Sequence, residues 1–183
     1  SNSELRTTKR QNLVFPYVRK DQVHALWQDL DKSDLASPHH GTLAHVVACP
    51  GADYCDLAKA VSIPIAQQVQ QRFDDMDKLY DIGPININIS GCENSCGHHH
   101  IADIGLLGLK KNEQEFYQIT LAGETLQETI IGRKLGRSIA GAEVVDAIED
   151  IVNIYLENRE EGENFVDAFK RIGIAPFKEK VYG

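Results

Sequence analysis

The chain has 183 residues, 42% hydrophobic and 25% charged, the proportions of a folded domain with room for a substantial core. A run of about 18 apolar residues is lacking, as is a basic-then-apolar leader, so neither a membrane span nor a secretory signal is expected and a cytoplasmic protein is predicted. The net charge of −8 argues against nucleic acid as a partner, because affinity for a phosphate backbone comes from clustered Lys and Arg.

Ser1-Asn2-Ser3 in place of an initiator methionine predicts a portion of a longer protein. Residues 1–40 are polar with mixed signals and are expected to form an arm, with an apolar patch at Leu13-Val14-Phe15 and a short helix from Asp21 to Leu30. Residues 41–183 are expected to form the main domain. Thr42 to Ala48 has the composition of a buried strand, stopped by Cys49-Pro50-Gly51. From Asp56 to about Asp75 the apolar residues Leu57, Ala60, Val61, Ile65, Val69 and Phe73 recur at mostly helical spacing. Pro64 should start, bend or divide that helix.

After Gly83-Pro84, the alternation Ile85-Asn86-Ile87-Asn88-Ile89 predicts a strand with isoleucine on its buried face, running directly into Ser90-Gly91-Cys92. Strands at Asp103 to Leu109 and Phe116 to Leu121 are joined by Lys110-Lys111-Asn112-Glu113, a polar stretch suited to a hairpin. A short strand is expected at Thr129 to Ile131, then loop to Gly141. Val144, Val145, Ile148, Ile151, Val152, Tyr155 and Leu156 mark one face of an amphipathic helix, and Phe165, Ala168, Phe169 and Ile172 mark another, closed by Gly173. The fold class is therefore α+β, a mixed β-sheet of about five strands with helices packed on it. Glu143 to Asp167 holds nine acidic residues against Arg159 alone, the composition of a solvated helix face, with a surface for an electron-transfer partner as the alternative.

The chemistry concentrates in four cysteines. Five residues separate Cys49 from Cys55, three separate Cys92 from Cys96, and each pair follows a strand-like segment. Disulfides are rare in a reducing cytosol, so thiolate ligation leads over core packing. An iron–sulfur cubane takes its thiolates from several directions, which suits loops at neighbouring strand ends. Zinc sites more often use two to four intervening residues, and the five-residue gap fits them less well. Gly91 and Gly97 bracket the second pair and allow backbone to approach an inorganic group. His98-His99-His100 point in different directions on any regular backbone, so packing or hydrogen bonding near the site is expected of them rather than joint ligation of one ion.

Ser90-Gly91-Cys92-Glu93-Asn94-Ser95-Cys96, followed after six residues by Asp103-Ile104-Gly105-Leu106, resembles the signature of sirohaem-dependent nitrite and sulfite reductases. Cys49-Pro50-Gly51-Ala52-Asp53-Tyr54-Cys55 is similar to that family's first cysteine pair. Gly162-Glu163-Asn164-Phe165 and Arg171 to Glu179 resemble the end of assimilatory sulfite reductase haemoprotein subunits. The resemblance implies a 4Fe-4S cluster held by Cys49, Cys55, Cys92 and Cys96, with the Cys96 sulfur bridging to sirohaem iron. It also implies six-electron reduction of sulfite to sulfide, with nitrite to ammonia as the rival reaction and a ferredoxin or flavoprotein as electron donor. A cluster-carrying electron-transfer module and a zinc-stabilised domain are the remaining alternatives. Asn94 is expected either to donate to a haem carboxylate or to cap the following turn.

Two features depart from the family pattern. Glu93 stands where members commonly carry Pro or an apolar residue. The family's basic substrate-binding residues lie mostly upstream of the first cysteine pair, where this sequence has only 48 residues. No catalytic residue is therefore expected in this stretch, and the chain alone is expected to be inactive.

Overall fold

The computed structural model describes residues 4–125 and 129–183, and contacts divide it into two units, Ser1–His40 and Gly41–Gly183. In the first, β1 (Arg6–Thr7) pairs antiparallel with β2 (Leu13–Val14). A single 3-10 turn at Lys20–Gln22 then leads into α1 (Val23–Asp31), close to the expected helix. None of the described residues 4–40 is buried.

The second unit is built on one mixed sheet in the order β3-β4-β5-β6-β7, with β8 also paired to β6. β3 (Val46–Ala48), β4 (Ile87–Ser90) and β5 (Ile104–Lys111) are parallel, with Val46 opposite Ile87 and Ile87 opposite Ile104. β6 (Gln114–Leu121) returns antiparallel to β5 over its full length. The turn between them is Asn112-Glu113, both at positive φ (48° and 62°), the two-residue hairpin geometry that matches strand twist. The hairpin is longer than the sequence pattern predicts, because Lys110 and Lys111 pair with Glu115 and Gln114 instead of forming the turn.

Ile85, Ile87 and Ile89 are all buried, as their alternation predicts, and join Ile104, Leu106, Ile119 and Leu121 in the core. The helices cover this sheet: α2 (Ile63–Arg72) packs on β3, and α4 (Val144–Asn158) packs against α2, α5 (Phe165–Ile172) and α6 (Ala175–Tyr182). The buried face of α4 is Val144, Val145, Ile148, Ile151, Val152 and Tyr155, the predicted stripe. α5 begins at Asn164, whose side chain accepts from the Asp167 amide, and ends at Gly173.

Four expectations are corrected. The first strand is only Val46–Ala48, because the Thr42 carbonyl accepts from the His45 amide and folds residues 42–45 into a turn. The helix expected from Asp56 begins at Ile63, with Pro64 in its first turn, where a missing N–H costs nothing. It stops at Arg72, and a separate α3 (Met76–Ile82) follows, capped by the Asp75 carboxylate on the Asp77 and Lys78 amides. The strand expected at Thr129–Ile131 reduces to one bridge between Ile130 and Glu124, while the supposed loop beyond it carries β7 (Arg133–Lys134) and β8 (Ile139–Ala140). The C-terminal α6, which the sequence pattern did not announce, starts with Pro176 in its first turn. No helix among the described residues is long and apolar enough to cross a membrane.

Candidate cluster-binding site

Parallel strands need a long crossover, and both crossovers at this end of the sheet carry cysteines. The β3-to-β4 connection opens with the Cys49–Cys55 loop before passing through α2 and α3. Residues 91–103 join β4 to β5 without an α-helix and contain Cys92 and Cys96. Because β3 and β4 are adjacent and parallel, both pairs emerge beyond the carboxyl ends of neighbouring strands. In open α/β sheets that is where ligands bind.

The two loops are hydrogen-bonded to each other. The Cys49 amide donates to the Ile89 carbonyl at 3.1 Å, extending the strand ladder by one residue. The Gly91 amide donates to Cys49 Sγ at 3.1 Å. The Lys59 and Ala60 amides converge on the Gly91 carbonyl at 2.7 and 3.1 Å, and the Ala52 amide closes the first loop on the Ala60 carbonyl at 3.0 Å. These commitments help explain why residues 56–62 are not helical: the Lys59 and Ala60 amides serve the neighbouring loop.

A pair of β6 side chains latches the same loop from the far side. Glu115 Oε2 accepts from the Val61 amide at 3.2 Å, and the Tyr117 hydroxyl donates to the Val61 carbonyl at 2.7 Å. Burial, with the Glu115 carboxylate next, pushes the Tyr117 phenol pKa up, so it stays a protonated donor.

The second loop is held by side chains of β4. Ser90 Oγ accepts from the Gly97 amide at 3.1 Å, and Asn88 Nδ2 donates to the Gly97 carbonyl at 2.9 Å. Between the cysteines the chain turns tightly, with Ser95 donating its amide to the Cys92 carbonyl and both Ser95 and His98 at positive φ. Gly97 is required by contact alone: a Cβ there would lie 2.0 Å from the Ile89 carbonyl oxygen. Gly51 is required twice over, by a φ of +70° and by the Ser62 backbone nitrogen 2.4 Å from a Cβ.

All four cysteines are free thiols, graded in exposure: Cys49 and Cys92 are buried, Cys55 is half-buried and Cys96 is exposed. Tyr54 and Leu57, which flank Cys55, expose large apolar side chains. Among the described residues no three His, Cys, Asp or Glu side chains close around a single ion. The donor set nevertheless fits a cluster: four thiols in two pairs beyond the ends of adjacent strands, with an N–H aimed at one sulfur and glycines where backbone approaches backbone.

The remaining predicted residues separate. Glu93 and Asn94 are exposed. The capping expectation for Asn94 is not met, since the next helical turn, His99–Ile101, has no side-chain cap. Of the three histidines, His98 is exposed in a left-handed turn and His99 is buried, its ring edge-on to that of His100. Desolvation, with His100 second, lowers the His99 pKa to about 4, so its imidazole is neutral at neutral pH. The sequence pattern passed over Ser62, Glu115 and Tyr117. Ser62 before Ile63-Pro64 carries the signal of a helix cap, which conceals its contact with Cys49.

Fold and site together define a domain whose donor set suits a thiolate-ligated cluster. Residues 41–183 match the family described as nitrite and sulphite reductase 4Fe-4S domain, and residues 1–33 match the nitrite/sulfite reductase ferredoxin-like half domain. The chain belongs to this nitrite and sulphite reductase family. It is 31% identical over 171 residues to sulfite reductase (ferredoxin) 2 of Mycolicibacterium paratuberculosis, covering 88% of this chain and 31% of that protein. It is 27% identical over 178 residues to the sulfite reductase (NADPH) hemoprotein beta-component of Bacillus subtilis, covering 93% of this chain and 30% of that one. The solved structure of Mycobacterium tuberculosis NirA superposes with a TM-score of 0.80 at 28% identity, covering 94% of this chain and 33% of NirA. The chain thus spans about a third of the length of the relatives it matches.

Proposed function

We propose that this chain is the cluster- and sirohaem-binding part of a reductase that carries sulfite to sulfide in a six-electron reaction. The observation that carries the reading is the emergence of both cysteine pairs beyond the ends of β3 and β4, on loops hydrogen-bonded to each other. In this reading Cys49, Cys55, Cys92 and Cys96 would hold a 4Fe-4S cluster, with Cys96 also the residue that would link it to the sirohaem. When bound, the cofactors would supply the electrons for reduction of the anion.

The chain's own residues have distinct tasks. Buried Cys49 and Cys92 place one side of the cluster out of water, where hydrogen bonds to sulfur act most strongly. Exposed Cys96 leaves its sulfur free to meet a second metal centre. Asn94 is exposed between Cys92 and Cys96, and in this reading its side chain would donate to a haem carboxylate. The exposed apolar side chains of Tyr54 and Leu57 supply surface for a bulky macrocycle to cover. The basic groups that bind the anion are assigned to the two-thirds of the relatives' length outside this chain, and the electron donor to a ferredoxin or a flavoprotein.

Nitrite is the alternative substrate, since the family's description names both anions. Anaerobic steady-state turnover of the full-length protein, with sulfite and nitrite side by side, decides between them. The expected result is higher kcat/KM for sulfite and no multiple turnover by the 183-residue chain alone. Sustained sulfide release by that chain, given sirohaem and excess reductant, would overturn the division of labour.

A further inference from the structure

Ser62 occupies the residue before α2, where a serine hydroxyl ordinarily accepts from an amide of the first helical turn. Here it makes no such bond. Its Oγ instead lies 3.5 Å from Cys49 Sγ, the one hydrogen-bond partner of that hydroxyl among the described residues, and the residue is completely buried. The placement is built in from both sides. Gly51, at φ +70°, brings the first cysteine loop so close that an added Cβ would stand 2.4 Å from the Ser62 nitrogen and 3.1 Å from its Oγ. Pro64 fixes the start of the helix two residues later.

Cys49 Sγ therefore has two neighbours able to donate a proton, the Gly91 amide at 3.1 Å and the Ser62 hydroxyl. A free thiol leaves the direction of the Ser62 contact open. A metal-bound thiolate has no hydrogen to give, so in the loaded protein the hydroxyl must be the donor. Among the described residues no hydrogen bond of either kind reaches the sulfur of Cys55, Cys92 or Cys96.

We infer that Ser62 is a positioning and tuning residue for the cluster: its hydroxyl donates to the Cys49 thiolate, fixes that ligand's orientation and raises the cluster's reduction potential. The inference rests on Cys49 being a cluster ligand. The physical ground is that a hydrogen bond to a ligating sulfur withdraws negative charge from it and favours the reduced, more negative cluster. The bond is shielded from competing water because Ser62 is wholly buried and Cys49 is 8% exposed. The serine gives up its capping role to make it, and the helix start retains Pro64 as its remaining signal.

The test is an EPR-monitored redox titration of the full-length protein, isolated anaerobically with its cofactors, in four forms: parent, Ser62→Ala, Ser62→Thr and Ser138→Ala. Ser138 lies on the surface and accepts from Lys111, so its variant controls for loss of a hydroxyl elsewhere. The inference predicts a lower cluster potential in Ser62→Ala. At a fixed applied potential the reduced-to-oxidised ratio should fall about three- to tenfold, roughly 30 to 59 mV at 59 mV per tenfold for one electron. Ser62→Thr, which keeps the hydroxyl, should return most of that shift, and Ser138→Ala should match the parent. Equal potentials in parent and Ser62→Ala, both with full cluster signal, would overturn the tuning role and leave the ligand assignment standing. A shift in Ser62→Ala that Ser62→Thr fails to reverse would assign it to packing and likewise overturn the role. A parent protein with no cluster signal would overturn the ligand assignment and this inference together.

Discussion

The two cysteine loops leave the same end of the sheet, yet they are restrained in opposite ways. The Cys49–Cys55 loop is held from outside, by Gly91 on the neighbouring loop and by Glu115 and Tyr117 two strands further on. The Cys92–Cys96 loop is held by its own strand, through Asn88 and Ser90, and by tight turns with Ser95 and His98 at positive φ. Each loop buries its first thiol, Cys49 or Cys92; the first half-buries Cys55, whereas the second presents Cys96 to solvent. On the proposed ligand assignment, one scaffold thus serves a shielded ligand and a shared one: long-range hydrogen bonds fix the former, and local backbone geometry fixes the latter.

The sharpest way to break the second loop is Gly97→Ala. Its Cβ would overlap the Ile89 carbonyl, a backbone atom that cannot rotate away. A loss of about 3 kcal/mol or more is expected in denaturant unfolding, with loss of cofactor from the full-length protein. Gly41→Ala is the matched comparison: φ is +80° but nothing lies within 4 Å, so only the left-handed penalty of about 1–2 kcal/mol applies.

Next in size is the pH response of His99, buried behind the second loop. Its pKa falls from the usual 6.5 to about 4 on folding, so between those values the unfolded chain binds the extra proton. Stability should therefore rise with pH from 4 to 6.5, by an amount on the order of 2–3 kcal/mol. His99→Leu should flatten the unfolding midpoint across that window. Glu163 sets a lower window: its hydrogen bond from Arg171, with the Glu160 amide second, holds its carboxyl at about 2. The stability it adds is complete above the ordinary carboxylate value and is lost as pH falls through 2. Glu163→Gln should remove that acid dependence and leave the His99 window unchanged.

For the first loop, Tyr117→Phe deletes the hydroxyl that satisfies the Val61 carbonyl. It should cost about 1–2 kcal/mol and speed hydrogen exchange at Ala52, Lys59 and Ala60 more than at Gly97. Equal acceleration in both loops would contradict the claim that different groups restrain them. The smallest effect is expected from Glu93→Gln. The carboxylate is exposed, so water screens it and the cluster potential should not move.

The sequence made the four cysteines legible as candidate ligands because cysteine pairs at strand exits are local signals. It also made legible the Ile85–Ile89 strand, the buried stripe of α4 and the helix ending at Gly173, each set by a short periodic pattern. Three features were hidden for one physical reason. The non-helical run before Ile63, the Glu115–Tyr117 latch and the Ser62 contact all depend on groups that meet only when the chain folds back, 13 residues apart for Ser62 and Cys49 and 56 for Val61 and Tyr117. Residues 56–62 keep helical spacing, but the Lys59 and Ala60 amides bond to Gly91 and the Val61 amide to Glu115, and tertiary hydrogen bonds override propensity. The strands at Arg133 and Ile139 were missed because each is two residues long and carries no alternation to read.

The central claim is that the four cysteines form one cluster site joined to a sirohaem. It is tested most directly by iron, zinc and labile-sulfide analysis of the anaerobically isolated full-length protein, with its absorption spectrum recorded on the same sample. The account predicts iron and sulfide in 4Fe-4S proportion, additional haem iron, and haem absorption bands. One zinc per chain, with neither iron nor haem bands, would contradict it.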